Sequence, residues 1–282
     1  MKIGVVILNY NSSSDCMKCI SSLSMQQEVE LDLIVVDNCS IQEERSKLEN
    51  FLKGKKVVTA HQITYIPNND NKGYNAGNNI GLRYAAQKGY EYALISNPDM
   101  EYPDTLYVKK LIVNIKSDSR VVVCASDIIN NEGLHQNPMR ELSFWEEFLW
   151  PIEWLKNKNK SVWYVLDYST SCICEKVSGC CLLVDLSFMK EINFFDENVF
   201  LYSEESILGK QVSENGRKMQ YDSNVYAIHR HIESAKGNKT KRMLMLFQSR
   251  GYYLERYSGY NKFKLLMLTL SRSLHKILWN NF

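Results

Sequence analysis

No stretch of this 282-residue chain reaches the roughly 18 to 20 consecutive apolar residues that a membrane-crossing helix needs, so a spanning protein is not expected. The opening MKIGVVILNYN has an apolar run of only about six residues, closed at once by polar ones, and does not read as a secretory leader. On that basis the chain is expected in the cytoplasm, with its eight cysteines as reduced thiols. Cys16-x-x-Cys19 has no second such pair and no histidine beside it, which favours two thiols in a helix over a zinc or redox site. There is no Gly-x-Gly-x-x-Gly, because Gly73, Gly77 and Gly81 are spaced by four, and this argues against a dinucleotide-binding Rossmann protein. The stretch NYNSSSD (9–15) has neither a glycine nor a basic residue, which argues against a nucleotidyltransferase. Internal repeats and low-complexity segments are absent as well. Acid is nearly missing from residues 235–282, where ten Lys/Arg accompany the single Glu255, whereas residues 1–234 hold 24 basic and 31 acidic residues. The formal net charge of +2 therefore conceals a basic tail on an acidic body, which suits an anionic surface partner. No nucleic-acid module accompanies the basic run, so nucleic acid is not an expected partner.

What is present is a rhythm. IGVVILNYN (3–11) and LDLIVVDNCS (31–40) are apolar runs that close on Asn or Asp, as central parallel strands do. TYIPN (64–68) and YALISNPD (92–99) are the next strand candidates. Helix-like segments separate them at 13–27, 43–53 and 73–89, and further helix and strand candidates follow at 105–116 and 121–126. Strands alternating with helices predict an α/β fold with a doubly wound, mostly parallel sheet. Parallel strands place all their carboxyl ends on one edge, where open α/β sheets bind ligands. Asn9, Asp37, Asn38, Asn97 and Asp99 are therefore expected to converge there. Taken alone, Asn97-Pro98-Asp99 favours a turn over a ligand site. Residues 127–176, with Trp145, Trp150, Trp154 and Trp163, show no clear period. EKVSGCCLLVDLSFMKEI (175–192) resumes as strand and helix, a helix is expected to end near Gly216, and MQYDSNVYAIHRH (219–231) holds a last strand with two histidines.

The order VVILNYN, IVVDNCS, NDNKGYNAGNNIG, LISNPD, VSGCCLLVD, FFDENVFLYSEES and AIHRHIES resembles the family-2 glycosyltransferases of GT-A fold, nearest to a bacterial rhamnosyltransferase-like branch that builds surface polysaccharide. The likeness covers roughly residues 3–234. It implies an inverting, metal-dependent transfer of a sugar from a nucleoside diphosphate, rhamnose on dTDP among the candidates, to a glycan or lipid-linked saccharide in O-antigen or capsule synthesis. It also implies a GT-A domain over 1–234, with a nucleotide-sugar half (1–126) and an acceptor half (127–234). Asn9, Tyr10 and Asn11 would flank the nucleotide, Asp37 would meet the base and Asn38 would shape that wall. Asn71, Gly73, Gly77, Asn78 and Asn79 would lie against nucleotide and sugar, with the glycines allowing close backbone approach to the ligand. Asn97 would border the donor, and Asp99 would be the principal carboxylate for Mg²⁺ or Mn²⁺. That assignment suits a hard cation that takes its remaining oxygens from diphosphate and water. His229, five residues before Ser234, would contact metal or diphosphate, with His231 as a weaker candidate. Gly179 and Cys180 would lie beside the acceptor pocket, although a glycine for strand packing explains that position equally.

The resemblance also implies that an acidic pair opening a helix supplies the base that takes the acceptor's proton. Here the pair is Glu204-Glu205, and Glu205 matches the base by position. Adjacent acids raise one another's pKa, and a helix amino terminus favours carboxylates. The family commonly has Asp at position 205, another Asp at 207 where Ile207 stands, and glycine where Ile192 and Asn193 precede the FDE. These departures define the alternative, a catalytically silent GT-A-like binding protein in a polysaccharide assembly. The tail (235–282) reads as a basic amphipathic helical segment. Lys262, Lys264, Arg272 and Lys276 on it suit the inner face of the plasma membrane and a peripheral attachment. A helical hairpin packed on the catalytic body or on another subunit, hence a homodimer, is the competing expectation.

Overall fold

The computed structural model describes residues 1–54, 61–158, 165–230 and 238–279. His231 and Ser234 of the histidine motif, and Trp163, lie outside the described residues. The first half alternates as expected: β1 (Lys2–Asn9), α1 (Ser13–Leu23), β2 (Glu30–Asn38), α2 (Gln42–Lys53), β3 (Gln62–Asn68), α3 (Tyr74–Gln87) and β4 (Tyr92–Ser96). Next come β5 (Met100–Glu101), α4 (Tyr107–Ile115) and β6 (Val121–Asn130). The stretch without a readable period contributes α5 (Phe144–Phe148), α6 (Trp150–Asn157) and β7 (Cys172–Cys174). The chain continues through β8 (Cys181–Asp185), α7 (Leu186–Glu191), α8 (Glu204–Glu214), β9 (Lys218–His229), α9 (Lys239–Arg256) and α10 (Lys262–Trp279).

The strands form one sheet in the order β3-β2-β1-β4-β8-β6-β9-β5, with β7 on β9. The first four are parallel: Asn9 stands beside Asp37, Asn38 beside Asn68, and Ile7 beside Ser96. β8 runs antiparallel between β4 and β6, pairing Ser96 with Cys181. This reversal brings the start of β8, rather than its end, to the edge where β1, β2 and β4 finish. Gly179 and Cys180 reach the candidate site for that reason. β9 is parallel to β6, so its last residue, His229, arrives at the same edge, and the short antiparallel β5 sets Met100 opposite it.

β1 and β2 are buried on both faces, which explains their unbroken apolar runs. Ile3, Val5 and Ile7 face a core shared with Cys16, Cys19, Ile20, Leu23, Leu48 and Leu111. Val6 and Leu8 face a second core with Leu82, Ala85, Phe188 and Leu208. Cys16 and Cys19 are fully buried in the first core, and burial pushes the Cys19 thiol up to about 12. α3 lies close on β1 because a Cβ at Gly81 would meet Val6 and one at Gly77 would meet Leu8 and Asn38. A third core joins Phe144, Val199 and Ile207 to Tyr253, Leu254 and Leu268, so α9 and α10 pack on the acceptor half as a helical hairpin. Arg250 of α9 reinforces that contact. Its Nη1 donates to Glu141 at 2.9 Å and to Ser206 Oγ at 3.3 Å, and its other nitrogens bind Glu147. Among the described residues no helix is long and apolar enough to cross a membrane.

Candidate active site

The ends of β1 and β2 are tied by polar side chains. Asn9 Nδ2 donates to Asp37 Oδ2 at 3.0 Å and to Ser40 Oγ at 3.3 Å. Arg45 and the Ser40 backbone N–H both donate to Asp37 Oδ1, at 3.1 Å each. The Asp37 side chain has no exposed surface. In the free protein the carboxylate organises the wall through protein donors. Asn38 does the same for the next loop, receiving from Asn68 at 2.8 Å and donating to Asn71 Oδ1 at 3.1 Å and to the Gly73 carbonyl at 3.3 Å. Asn11 sits at φ 51°, and its Oδ1 accepts from the Ile41 N–H at 2.8 Å. Tyr10 stands 53% exposed on the rim, free to offer a ring face to a planar ligand.

The glycines of the 73–81 run also serve close packing within the protein. A Cβ at Gly73, where φ is +106°, would lie 2.7 Å from Phe200 Cα, so glycine permits the approach of the 196–203 loop, whose Phe200 carbonyl accepts from the Tyr74 N–H at 2.8 Å. Gly77 and Gly81 face strand side chains instead. Asn79 likewise binds protein, exchanging hydrogen bonds with the Phe195 backbone and reaching Glu197 at 2.8 Å. Asn78 is fully buried and donates to the Tyr74 carbonyl at 3.1 Å.

Asp99 and His229, assigned to the metal on separate grounds, are adjacent: Asp99 Oδ1 lies 3.3 Å from His229 Nε2. His229 Nδ1 donates to Gln136 Oε1 at 2.9 Å, which orients the ring with Nε2 toward the carboxylate. Burial opposes a charge on this imidazole, but Cys180 and Asp99 outweigh it and push the pKa up to about 10. No group of three or more His, Cys, Asp or Glu gathers among the described residues. One carboxylate and one imidazole, the imidazole giving up its Nε2 proton to the ion, fit a divalent cation that takes its other ligands from a diphosphate and water. The same corner is pinned by the Asn97 N–H, which donates to the Cys180 carbonyl at 2.8 Å.

One residue earlier, the Gly179 N–H donates to Glu205 Oε1 at 3.3 Å and the Gly179 carbonyl accepts from Tyr74 at 2.6 Å. α8 begins after two consecutive left-handed residues, Tyr202 (φ 73°) and Ser203 (φ 65°), a strained turn of the kind that recurs where side chains must be aimed. It delivers Glu204 inward and Glu205 to a half-buried position facing Gly179. Glu204 is 9% exposed, and its Oε2 has no hydrogen-bond partner among the described residues. Burial, then the neighbouring Glu205, push its pKa well above the usual carboxylate range and favour the protonated form. Sequence reasoning assigned no role to Tyr74, Gln136, Ser40 or Arg45. Tyr74 lay inside a quoted motif and could have been found there, whereas nothing local marks Gln136.

A family model described as glycosyl transferase family 2 matches residues 4–180, more than half of the chain. The low-salt glycan biosynthesis hexosyltransferase Agl10 of Haloferax volcanii is 27% identical over 207 residues, 72% of this chain and 59% of that protein, so the chain spans less than two thirds of that relative. Among solved structures, GalNAc-T7 with UDP, GalNAc and Mn²⁺ is similar at TM-score 0.64 and 16% identity, over 90% of this chain and 48% of that one. The mannosyltransferase PcManGT of Pyrobaculum calidifontis, with GDP-Man and Mn²⁺, is similar at TM-score 0.61 and 12% identity, over 96% of this chain and 74% of that one. At these identities the solved structures share the fold, and the α/β sheet described above is the GT-A arrangement. With its motif-bearing strand ends gathered on one edge and the family model matched over residues 4–180, the chain belongs to glycosyl transferase family 2.

Proposed function

We propose that the chain transfers a sugar from a nucleoside diphosphate to a glycan hydroxyl with inversion, Glu205 taking the hydroxyl's proton. The observation that carries this is the dipeptide Gly179-Cys180. Cys180 contacts Asn97 and faces His229, while Gly179 contacts Glu205 and Tyr74, so the two assigned halves of the reaction meet across two residues. Donor binding falls to the β1, β2 and β4 edge, with Tyr10 on the rim and Asn97 beside Asp99. A divalent cation, Mg²⁺ or Mn²⁺, held by Asp99 and His229 would supply positive charge for the diphosphate leaving group. Glu205 is within reach of solvent and held by a backbone N–H, which leaves its second oxygen for the acceptor. Glu204, buried behind it, acts as a neutral neighbour.

The motif resemblance favours dTDP-rhamnose as donor and a lipid-linked acceptor in O-antigen or capsule synthesis, and the likeness to a hexosyltransferase keeps hexose donors in view. A silent binding protein is the second reading. It is favoured by Ile207, fully buried in the third core where the family commonly has Asp. The test is nucleotide release from dTDP-rhamnose, UDP-glucose, UDP-galactose, UDP-galactofuranose and GDP-mannose, with and without Mn²⁺. Slow metal-stimulated release from one donor is expected. Nucleotide binding without release from any donor would favour the silent reading.

A further inference from the structure

α6 is an unusual helix: it carries Trp150, Ile152, Trp154 and Leu155, yet it buries none of its residues. Trp154 is 62% exposed, and Trp145 of the preceding α5 is 61% exposed. α10 shows a second array. Phe263, Leu266, Leu270 and Leu274 are all more than half exposed, and at 100° per residue they fall within an arc of about 80°. The two arrays are neighbours. Ser271 of α10 donates to the Phe148 carbonyl of α5 at 2.8 Å, and Lys264 Nζ sits 5.3 Å from the Phe144 ring centre. Lys264 and Ser271 border the exposed stripe on α10, so the stripe runs alongside α5, and α6 begins two residues after Phe148.

Among the described residues, the charges around this surface that lack an ion pair are basic. No acid follows Glu255 in the sequence, and Lys158, Lys262 and Lys264 are exposed at the rim. The acids of α5 and α6 are paired within the protein: Glu146 with Arg140, Glu147 with Arg250 and Glu153 with Lys156. Arg272, by contrast, turns inward, its guanidinium bonding the Phe247 carbonyl, so it is not a lipid contact. A large apolar surface with tryptophans and a cationic rim matches the interface of an anionic bilayer.

We propose that α6, Trp145 of α5 and the outer stripe of α10 form one surface that inserts into the headgroup region of an anionic membrane. The third core links this surface to the acid pair, because Phe144 and Leu268 beneath it pack with Ile207, two residues from Glu205. The surface therefore deepens the transferase reading, on which this last step rests: it places an acceptor carried on a membrane lipid next to the proposed base. The tail thus acts with a helix from the middle of the chain, and insertion of apolar side chains contributes alongside attraction of charge.

The experiment is co-sedimentation of the full chain with vesicles of phosphatidylglycerol and phosphatidylcholine, and with phosphatidylcholine alone. It is repeated for Trp154→Ser with Leu155→Ser, and for Leu270→Ser with Leu274→Ser. All four side chains are exposed, so the fold should hold. Binding to anionic vesicles is expected, weaker to neutral ones, with each double variant losing at least about tenfold in partitioning. Absent binding, binding unchanged by both variants, or equal binding to neutral vesicles would overturn the proposal. So would a wild-type dimer in sedimentation velocity that both variants dissolve, since a second copy would then be the occupant. Nucleotide titration of the same preparations separates the two readings: vesicle binding without nucleotide binding would sink the transferase reading alone.

Discussion

Glu204 and Glu205 are consecutive, but the structure gives them opposite characters, and this yields a discriminating prediction. Glu205→Gln keeps an oxygen for the Gly179 N–H, 3.3 Å away, and so preserves position while removing the ability to accept a proton. Loss of a general base costs about 10²- to 10⁴-fold in rate, which is about 3 to 5 kcal/mol in the barrier. Glu204→Gln replaces a buried carboxyl that already favours its neutral form with a neutral group of the same shape, so kcat should change less than about threefold. The same substitution has a signature in stability. Burial raises the folded-state pKa of Glu204 above its unfolded value, so its contribution is fully present below about pH 4.3 and is lost as pH rises toward the folded value. Glu204→Gln should therefore match wild type in thermal stability at pH 4 and exceed it at pH 8. The assays are nucleotide release under saturating donor, calorimetric nucleotide affinity, and melting at the two pH values. Nucleotide affinity should be unchanged in both variants. Loss of activity in Glu204→Gln equal to that in Glu205→Gln, or a lower melting temperature for Glu204→Gln at pH 8, would refute the assignment.

Gly73→Ala places a Cβ at φ +106° against the Phe200 backbone, and should cost more than about 2 kcal/mol in denaturant unfolding. Arg250→Met leaves the buried carboxylate of Glu147 without its ion-pair partner and Glu141 with Lys176 alone, with an expected loss of about 3 to 5 kcal/mol that calorimetry would detect. Gly179→Val pushes against Glu205, whose Oε1 lies 3.4 Å from the position of a Cβ there. Transfer to acceptor should fall while nucleotide affinity stays within about threefold, and a parallel loss of both would place Gly179 on the donor side.

The parallel half of the sheet was legible because strands buried on both faces write themselves as unbroken apolar runs, and because each closes on the polar residues that the shared edge gathers. The edge cluster from Asn9 to Asp99 followed from that geometry. Residues 127–176 were not legible for a physical reason. β7 is three residues long and depends on pairing with β9, far away in sequence, and α6 has no buried face to impose a period. The direction of β8 was hidden as well, since a short apolar strand reads alike in either sense. The packing role of the glycines at 73, 77 and 81 was hidden, because their neighbours Phe200, Leu8 and Val6 are distant in sequence. Arg272 was expected to face lipid as a charge in an amphipathic helix, but it points inward because α9 supplies a carbonyl that the sequence of α10 does not announce.

Calorimetric titration of wild type and Asp99→Ala with UDP, dTDP and GDP, each with and without Mn²⁺, tests the central claim most directly. Metal-dependent binding of one nucleotide by wild type, lost in Asp99→Ala, is the result that a nucleotide-sugar site on the β1, β2 and β4 edge predicts. Binding that ignores the metal, or that persists unchanged in Asp99→Ala, would contradict it and return Asn97-Pro98-Asp99 to the status of a turn.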